Sequence, residues 1–332
     1  PLTYIIINIA IILLIRQGGL KDNSGELSQG EVIALYNYMT QILVELIKLA
    51  NLIITITKAV ASGSRINAVF NIQSSLSYGT KSEGTDSEYA VEFSDVSLKY
   101  NGSPENSLEN ISFKVKKGDT VGIIGGTGSG KTSLINLIPG FYAPTEGKVF
   151  IDGQDVSLYS EEALREAIGI VPQKAVLFKG SIRDNLRLGN ENATDEEIIA
   201  ACKNAQAHDF ITSFPDGYNT VLGQGGVNVS GGQKQRLCIA RALLKKPKII
   251  ILDDSTSAVD TATDSKIRDA FSKNLADTTA IIIAQRISSV QEADRIIVLD
   301  DGQVVAFDSH DKLMESCDIY REVYDSQQKG AE

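Results

Sequence analysis

Residues 125–132 have the types and spacing of a site that binds phosphate groups. They follow the pattern G-x-x-x-x-G-K-T, between an apolar run at 120–124 and a helical run that follows. Glycines let successive backbone N–H groups point at one phosphate, and the helix adds its positive end. The lysine can reach the β- and γ-phosphates, and the threonine hydroxyl can ligate Mg²⁺. A flexible glycine–serine turn is the alternative, but the strand–loop–helix context indicates a nucleotide site. Its predicted phosphate-binding residues are Gly125, Gly126, Thr127, Gly128, Ser129, Gly130, Lys131, Thr132 and Ser133.

A second acidic motif follows a continuous apolar strand downstream of this loop. Residues 249–252 are Ile-Ile-Ile-Leu, and the paired carboxylates Asp253 and Asp254 come directly after them. We expect Asp253 to hold Mg²⁺ through water, and Asp254 to orient and deprotonate the water that attacks the γ-phosphate. Many buried strands end in Asp, so this pattern alone is weak evidence for a nucleotide site. It becomes strong evidence when it follows a phosphate-binding loop (P-loop) such as residues 125–132.

Residues 229–233, Val-Ser-Gly-Gly-Gln, precede a helix rich in Lys and Arg. This segment resembles the signature of ABC-transporter ATPase domains, and the likeness extends over residues 89–328. In that family two domains pack head to tail, and the signature of one covers the ATP held by the other. An ordinary capped helix is the alternative for a Ser-Gly-Gly segment, but a hydroxyl, glycine N–H groups and a helix N-terminus also suit a second phosphate cradle. The resemblance assigns ATP contacts here to Ser230, Gly231, Gly232 and Gln233.

The resemblance assigns further roles in chain order. Tyr100 matches the aromatic residue that stacks on adenine, although a tyrosine in a strand is often plain core. Gln173 matches the glutamine that touches Mg²⁺ and senses the membrane domain. Asp260, in the segment 257–260, matches a loop that crosses to the partner's site. The implied cofactors are therefore ATP and Mg²⁺, with Thr132, Gln173 and Asp253 around the metal.

Two positions depart from the family pattern in ways that bear on catalysis. Asp254 stands where the family normally has Glu, and Gln285 stands where it has a switch histidine. Asp is shorter by one C–C bond, about 1.5 Å, and Gln cannot carry an imidazolium charge. Neither His208 nor His310 is near enough in sequence to replace the missing histidine. Beside an intact signature, both changes together resemble the degenerate-site subunit of a bacterial heterodimeric ABC exporter. A smaller departure is Gln224, where exporters usually have Glu.

The segments before the ATPase region predict membrane helices. Residues 2–15 are almost wholly apolar and are followed by a polar, glycine-rich stretch at 18–30, which we expect to be a hairpin loop. Residues 31–72 predict one helix of about 60 Å, roughly twice the thickness of a hydrocarbon core. Because one face of it is polar, an amphipathic helix of a soluble bundle is the alternative. These segments resemble the last two transmembrane helices of an exporter.

The expected organisation has three parts. Residues 1–72 are the C-terminal part of a transmembrane domain (end of helix 5, loop and helix 6), 73–88 a linker, and 89–328 the nucleotide-binding domain. The fold class is an α/β P-loop NTPase of the ABC type, with an antiparallel β subdomain and a helical subdomain. The predicted strands are 90–100, 110–115, 120–124, 147–153, 168–171, 249–252, 280–283, 296–299 and 304–307. The predicted helices include 161–167, 193–214 and 233–245.

Charge and cysteine usage narrow the function further. The formal net charge of −10 argues against nucleic-acid binding, and three scattered cysteines fit a reducing cytosol. Since the chain starts inside an apolar run, we expect it to be the C-terminal part of something longer, integral to the cell membrane, with the ATPase in the cytoplasm. The expected partners are a second half-transporter, the membrane and a transported substrate that the sequence does not specify. The alternatives are a homodimeric exporter with Asp254 as base, a soluble ABC-type ATPase acting on DNA or ribosomes, and a non-hydrolysing regulator.

Overall fold

The computed structural model describes residues 2–72, 76–255, 259–274 and 277–329. It divides the chain into two compact units at the boundary between residues 75 and 76. The first unit contains two long helices, and the second contains the α/β region with all of the predicted nucleotide motifs.

The first unit consists of α1, Leu2–Asn23, and α2, Gln29–Phe70. The hairpin loop predicted at 18–30 is therefore wrong, because both helices run into that stretch. Glycine in a helix interior costs only about 1 kcal/mol relative to Ala. At Gly18 an added Cβ would lie 2.7 Å from a methyl group of Val32, so the glycine permits the two helices to approach closely. The remaining turn is capped by Ser28, whose backbone N–H donates to the Glu31 carboxylate at 2.8 Å.

Both helices are long and apolar enough to cross a membrane, judged by length and composition alone. The spans are Tyr4–Asn23, with 20 residues, and Gln29–Phe70, with 42. No residue of α2 is buried within the chain. Its polar face carries one ion pair, between Lys48 and Glu45 at 2.7 Å.

The second unit contains twelve strands among its described residues, in three sheets. In chain order the strands are β1 Tyr89–Leu98, β2 Leu108–Lys116, β3 Thr120–Ile124, β4 Glu146–Ile151, β5 Gln154–Asp155, β6 Ile168–Val171, β7 Gly180–Ser181, β8 Val221–Leu222, β9 Ile249–Asp253, β10 Thr279–Ile283, β11 Arg295–Asp300 and β12 Gln303–Asp308. The main sheet has the order β12-β11-β3-β10-β9-β6, and all of its strands except the edge strand β12 are parallel. A second, antiparallel sheet has the order β2-β1-β4-β5. The predicted α/β class with an antiparallel subdomain is confirmed.

Nine described helices complete the second unit. They are α3 Lys131–Leu137, α4 Glu161–Ala167, α5 Ile182–Arg187, α6 Asp195–Asn204, α7 His208–Thr212, α8 Gly231–Leu244, α9 Thr261–Asn274, α10 His310–Ser316 and α11 Asp318–Lys329. The single helix predicted at 193–214 is wrong, because it is two helices, α6 and α7. Gln206 takes a left-handed φ of 53°, and the N–H of Ala207 returns to the carbonyl of Cys202 at 2.7 Å, which ends α6.

The main sheet is buried on both faces, which explains its continuous runs of β-branched residues. Side chains alternate along each strand, so Ile250 and Leu252 of β9 join one core cluster while Ile249 and Ile251 join the other. The first cluster contains the helices α5 to α8, and the second lies against the antiparallel sheet. A slip of one residue would move side chains from one cluster to the other, so this double burial specifies the register of each strand.

Residues 76–88 run along the antiparallel subdomain. Gly79 N–H donates to the carbonyl of Tyr159 at 2.8 Å, and Lys81 N–H to that of Leu158 at 3.0 Å. Ser160 N–H donates to the carbonyl of Lys81 at 2.8 Å, and Thr85 N–H donates to the carbonyl of residue 152 at 2.8 Å. Lys117 N–H also donates to the carbonyl of Glu88 at 3.1 Å, so five backbone hydrogen bonds attach this segment to the rest of the second unit.

We predict that the fragment 76–332 is more stable than the fragment 89–332. Each lost hydrogen bond contributes about 0.5–1.5 kcal/mol, and 1 kcal/mol shifts the melting temperature of a domain of this size by roughly 2–4 °C. Calorimetry should therefore show a melting temperature at least about 4 °C lower for the shorter fragment. Glu83→Ala in the longer fragment is the control, since Glu83 is exposed and should leave the melting temperature unchanged. Equal melting temperatures of the two fragments would show that residues 76–88 do not stabilise the second unit.

Candidate nucleotide-binding site

Four neighbouring parallel strands deliver the predicted motifs to one edge of the main sheet. β3 leads into the P-loop, β10 into Gln285, β9 ends in Asp253, and β6 leads into Gln173. Their order in the sheet is β3-β10-β9-β6, and the pairs are in parallel register. Open α/β sheets bind ligands at the carboxyl ends of their strands, so this edge is the candidate nucleotide site.

The P-loop wraps around the ammonium group of Lys131. The Nζ atom donates to the carbonyl of Gly125 at 2.9 Å and to that of Gly126 at 2.6 Å, and it lies 3.4 Å from the hydroxyl of Ser129. The loop is thus held closed around its own positive charge. A groove of about 420 Å³ opens beside it, lined by Ser103, Asn106, Thr132, Ser133 and Asp301 among others.

The backbone turn between β11 and β12 braces the loop from outside. Gly302 N–H donates to the carbonyl of Ser129 at 3.2 Å. Gly130 has a φ of 96°, and a Cβ there would lie 2.8 Å from both the carbonyl of Ser107 and a methyl group of Leu108. Only glycine satisfies that backbone angle and that space together.

Tyr100 lies beside the start of α3. Its hydroxyl donates to the Ser133 hydroxyl at 3.0 Å, and its ring meets that of Tyr142 edge-on at 5.0 Å. The side chain is half-buried against the antiparallel core. The contact with Ser133 connects the predicted adenine-stacking residue directly to the P-loop helix.

Asp254 forms side-chain hydrogen bonds with two other predicted site residues. Its Oδ2 atom accepts from the side-chain amide of Gln285 at 2.8 Å and from that of Gln173 at 3.3 Å. Asp254 is only 8% exposed and has a left-handed φ of 45°. Such a conformation in a non-glycine residue costs roughly 1–2 kcal/mol and is typical of functional sites.

Burial and neighbouring charges have opposing effects on the pKa values of Asp253, Asp254 and Lys131. Burial raises the pKa of Asp254 above its ordinary value, while the amide bonds from Gln173 and Gln285 and the charge of Lys131 act to lower it. Burial, together with the neighbouring Asp254 charge, also raises the pKa of Asp253. Burial lowers the pKa of Lys131, and both carboxylates oppose that shift. The two acids and the lysine are therefore electrostatically coupled.

The donor atoms of Thr132, Gln173 and Asp253 suit Mg²⁺. They are a hydroxyl, an amide carbonyl and a carboxylate, which are hard oxygen ligands of the kind this ion combines with water and phosphate. Thr132 and Gln173 are exposed, and Asp253 is half-buried. The residues present therefore fit the ion that the P-loop chemistry implies.

The signature residues lie at the start of α8. Ser230 caps this helix: its hydroxyl accepts from Gln233 N–H at 3.3 Å, and its own N–H donates to the Gln233 side chain at 2.9 Å. Ser230 and Gly231 are exposed, and Gly232 is half-buried. Across the described residues, no hydrogen bond or ion pair joins this segment to the P-loop. The exposed N-terminus of a 14-residue helix is available to an outside ligand.

Asp260 is also a helix cap. Its carboxylate accepts from Thr263 N–H at 2.9 Å, and this bond, ahead of the charge of Arg236, lowers the pKa of Asp260. Ser257 and Ala258, which the resemblance assigns to the same loop, lie outside the described residues.

Two contacts of this site were missed from the sequence. Asp301-Gly302 predicts a hairpin, but nothing in that dipeptide indicates that Gly302 contacts the P-loop. Gln327 in α11 donates to the backbone carbonyl of Gln285 at 2.8 Å, and no motif marks it. Both contacts depend on tertiary packing between segments distant in sequence.

We predict that Gly130→Ala weakens ATP binding far more than Gly126→Ala. At Gly130 the new methyl group meets backbone at 2.8 Å in a left-handed conformation, whereas at Gly126 nothing lies within 4 Å. Equilibrium titration of the 76–332 fragment with a fluorescent ATP analogue should give at least about a tenfold loss for Gly130→Ala, since backbone strain of this kind costs of order 1–3 kcal/mol. Equal affinities of the two variants would contradict the described loop geometry.

Comparison with known proteins agrees with this geometry. Residues 108–257 match the family model described as ABC transporter. The chain is 42% identical over 330 residues to the uncharacterized ABC transporter ATP-binding protein YfiB of Bacillus subtilis, covering 98% of the chain and 56% of that protein. It is 38% identical over 320 residues to the putative multidrug export ATP-binding/permease protein YgaD of the same organism, covering 96% and 55%. The chain thus spans about half the length of these curated relatives.

A solved structure supports the same conclusion. A bacterial Atm1-family ABC exporter with ATP bound superposes with a TM-score of 0.79 at 32% identity, over 98% of this chain and 57% of that one. The matched residues include both the α/β unit and the two apolar helices. The chain therefore contains an ABC transporter ATP-binding domain of the exporter type, preceded by two long apolar helices.

Proposed function

We propose that this chain is the ATP-binding, membrane-spanning part of one subunit of an ABC exporter, in which ATP binding and hydrolysis drive export. Its own P-loop site binds ATP tightly and hydrolyses it slowly. Its intact signature completes the faster site of a different partner subunit. The supporting observation is the direct 2.8 Å hydrogen bond between Asp254 and Gln285, the two residues that depart from the family pattern.

The arrangement of Asp254 explains why hydrolysis at this site is slow. A general base must lie within about 2.6–3.2 Å of the proton that it removes. The aspartate side chain is shorter than glutamate by about 1.5 Å, and it is drawn toward Gln173 and Gln285 by two amide donors on Oδ2. Gln285 supplies a neutral donor in place of an imidazolium, so it stabilises developing charge on the phosphate less. The attacking water is therefore poorly activated.

The remaining residues are equipped to bind ATP. Lys131 exchanges its bonds to the P-loop carbonyls for bonds to the β- and γ-phosphates, and the loop N–H groups surround the same oxygens. Tyr100 offers its ring to the adenine from a position fixed by Ser133 and Tyr142. Thr132, Gln173 and Asp253 would hold Mg²⁺, which would supply positive charge to neutralise the phosphates. The expected result is a site that binds ATP more effectively than it hydrolyses it.

The signature serves a second ATP. Ser230 and Gly231 are exposed at the N-terminus of α8. A partner's γ-phosphate can approach this end and meet the serine hydroxyl and the glycine N–H groups. Asp260, which caps α9, belongs to the surface that faces the partner in this proposal. The two apolar helices belong to the membrane domain, and the ATP-binding unit is cytoplasmic.

We predict an asymmetry between the two phosphate-binding surfaces of this chain. Gly231→Asp puts a carboxylate against the partner's γ-phosphate and should nearly abolish ATP hydrolysis, because losing preorganised donors at a competent site costs about 10²–10³ in rate. Lys131→Ala should leave a measurable fraction of the activity, because it affects only the slow site. Phosphate release by the purified, membrane-reconstituted complex measures both.

A homodimer provides the opposite outcome. Both substitutions would then affect every ATP site, and the two losses would be equal. Equal losses would overturn the asymmetric assignment and support a homodimeric exporter with Asp254 as base.

We also predict that Asp254→Glu combined with Gln285→His raises hydrolysis at this site more than either change alone. The glutamate extends the base toward the γ-phosphate, and the imidazole replaces the amide that now donates to Asp254. Residues that act as a unit have non-additive effects. Phosphate release by the four proteins of the cycle is the measurement. A double variant no faster than the better single variant would contradict the roles given to this pair.

A further inference from the structure

The carboxamide of Gln327 contacts the backbone on both sides of Arg286. Its Nε2 atom donates to the carbonyl of Gln285 at 2.8 Å, and its Oε1 atom accepts from the N–H of Ile287 at 2.9 Å. Gln327 lies in the last turns of α11, far along the chain from the segment that it contacts. One side chain thus forms two bonds to the segment that carries the residue facing Asp254.

The helix that carries Gln327 is itself firmly packed. Tyr320 near its start is fully buried, and its hydroxyl lies 2.6 Å from Nδ1 of His310. Arg321 donates to the carbonyls of Met314 at 2.9 Å and Glu315 at 3.1 Å. A helix anchored in this way presents Gln327 from a fixed position.

The contacted segment leads directly to the carboxylate of the site. The side-chain amide of Gln285 donates to Oδ2 of Asp254 at 2.8 Å, so a backbone shift at residue 285 of more than about half an ångström takes this pair out of hydrogen-bond range. Ile287 is buried and holds the other end of the segment. The hydrogen bond from Gln327 therefore helps to fix the backbone position of residue 285.

We propose that Gln327 is a positioning residue that holds Gln285 against Asp254 and so sets the hydrolysis rate at this chain's own ATP site. This inference rests on the proposed ATPase function of the site. The C-terminal helix becomes part of the ATP site's machinery, acting through the backbone of Gln285 and not through the nucleotide. The rival is a bond that only fastens α11 to the domain.

Two substitutions separate the two hydrogen bonds. Gln327→Met keeps the length of the side chain and removes both bonds. Gln327→Glu keeps an acceptor for Ile287 N–H but removes the donor to the Gln285 carbonyl. Gln328→Met is the matched control, because it makes the same change at the next position of the helix, where the side chain is exposed.

Amide hydrogen exchange of the full-length protein in lipid tests the contact without requiring ATP turnover. Losing a bond of about 0.5–1.5 kcal/mol should make the Ile287 amide exchange about two- to tenfold faster in Gln327→Met. Exchange should stay slow in Gln327→Glu and in Gln328→Met. Unchanged exchange at Ile287 in Gln327→Met would overturn the proposal.

The rate of hydrolysis tests the consequence of that contact. The chain's own contribution is the phosphate release of the wild type minus that of Lys131→Ala. Gln327→Met and Gln327→Glu should raise this contribution about two- to tenfold with KM for ATP unchanged, because each loses one bond to Gln285 and so loosens the amide that draws Asp254 away from the attacking water. Neither should raise it further in a Gln285→Ala background, because Gln327 acts through Gln285.

Two outcomes would overturn the positioning role: a rate that does not rise, or an equal rise in the Gln285→Ala background. If the wild type and Lys131→Ala release phosphate equally fast, the proposed hydrolysis at this site fails. The exchange of Ile287 would still decide whether Gln327 holds the segment.

Discussion

The N–H of Asp254 donates to the carbonyl of Ile283 at 3.0 Å, which continues the β9–β10 ladder one residue beyond the end of β9. This bond holds Asp254 in its left-handed turn, and the turn directs the carboxylate toward the segment after β10. Gln285 and Gln173 can then both reach Oδ2, because β10 and β6 are the two strands that flank β9. The contacts among Asp254, Gln285 and Gln173 depend on this register. A slip of one residue in the parallel sheet would separate the base from its partners and from the P-loop at the end of β3.

Local spacing explains why much of the site could be predicted from the sequence. The P-loop, the Asp253–Asp254 pair and the Ser230 cap are each encoded within a few residues, and the apolar runs at β9 and β10 identify buried parallel strands. The turn at 18–30 and the helix at 193–214 were predicted wrongly. Gly18 was interpreted as a loop residue although it serves a close helix contact, and the left-handed break at Gln206 has no sequence signal. The contacts of Gly302 and Gln327 depend on segments brought together only by the fold, so no local pattern could identify them.

Several polar residues that we propose to contact nucleotide also stabilise the fold. Ser230 caps α8, Asp260 caps α9, and the Lys131 ammonium holds the P-loop closed. Ser230 and Asp260 are therefore held in position by the folded domain before any phosphate arrives, which lowers the ordering cost of binding, whereas Lys131 must first exchange its carbonyl bonds. Asp254 and Gln285 are not held ready for catalysis in the same way. These two side chains are hydrogen-bonded to each other, and in the proposed function this bond is what makes the site retain ATP.

The central claim is that this chain's own P-loop holds ATP and hydrolyses it much more slowly than the partner's site while the assembled exporter turns over. The most direct measurement is the nucleotide that stays bound after the full-length complex has been incubated with Mg-ATP and rapidly separated from free nucleotide. The account predicts about one intact ATP for each copy of this chain, and its loss in Lys131→Ala, because the lysine is a ligand of the γ-phosphate. Bound nucleotide recovered only as ADP, or intact ATP retained in Lys131→Ala, would contradict it.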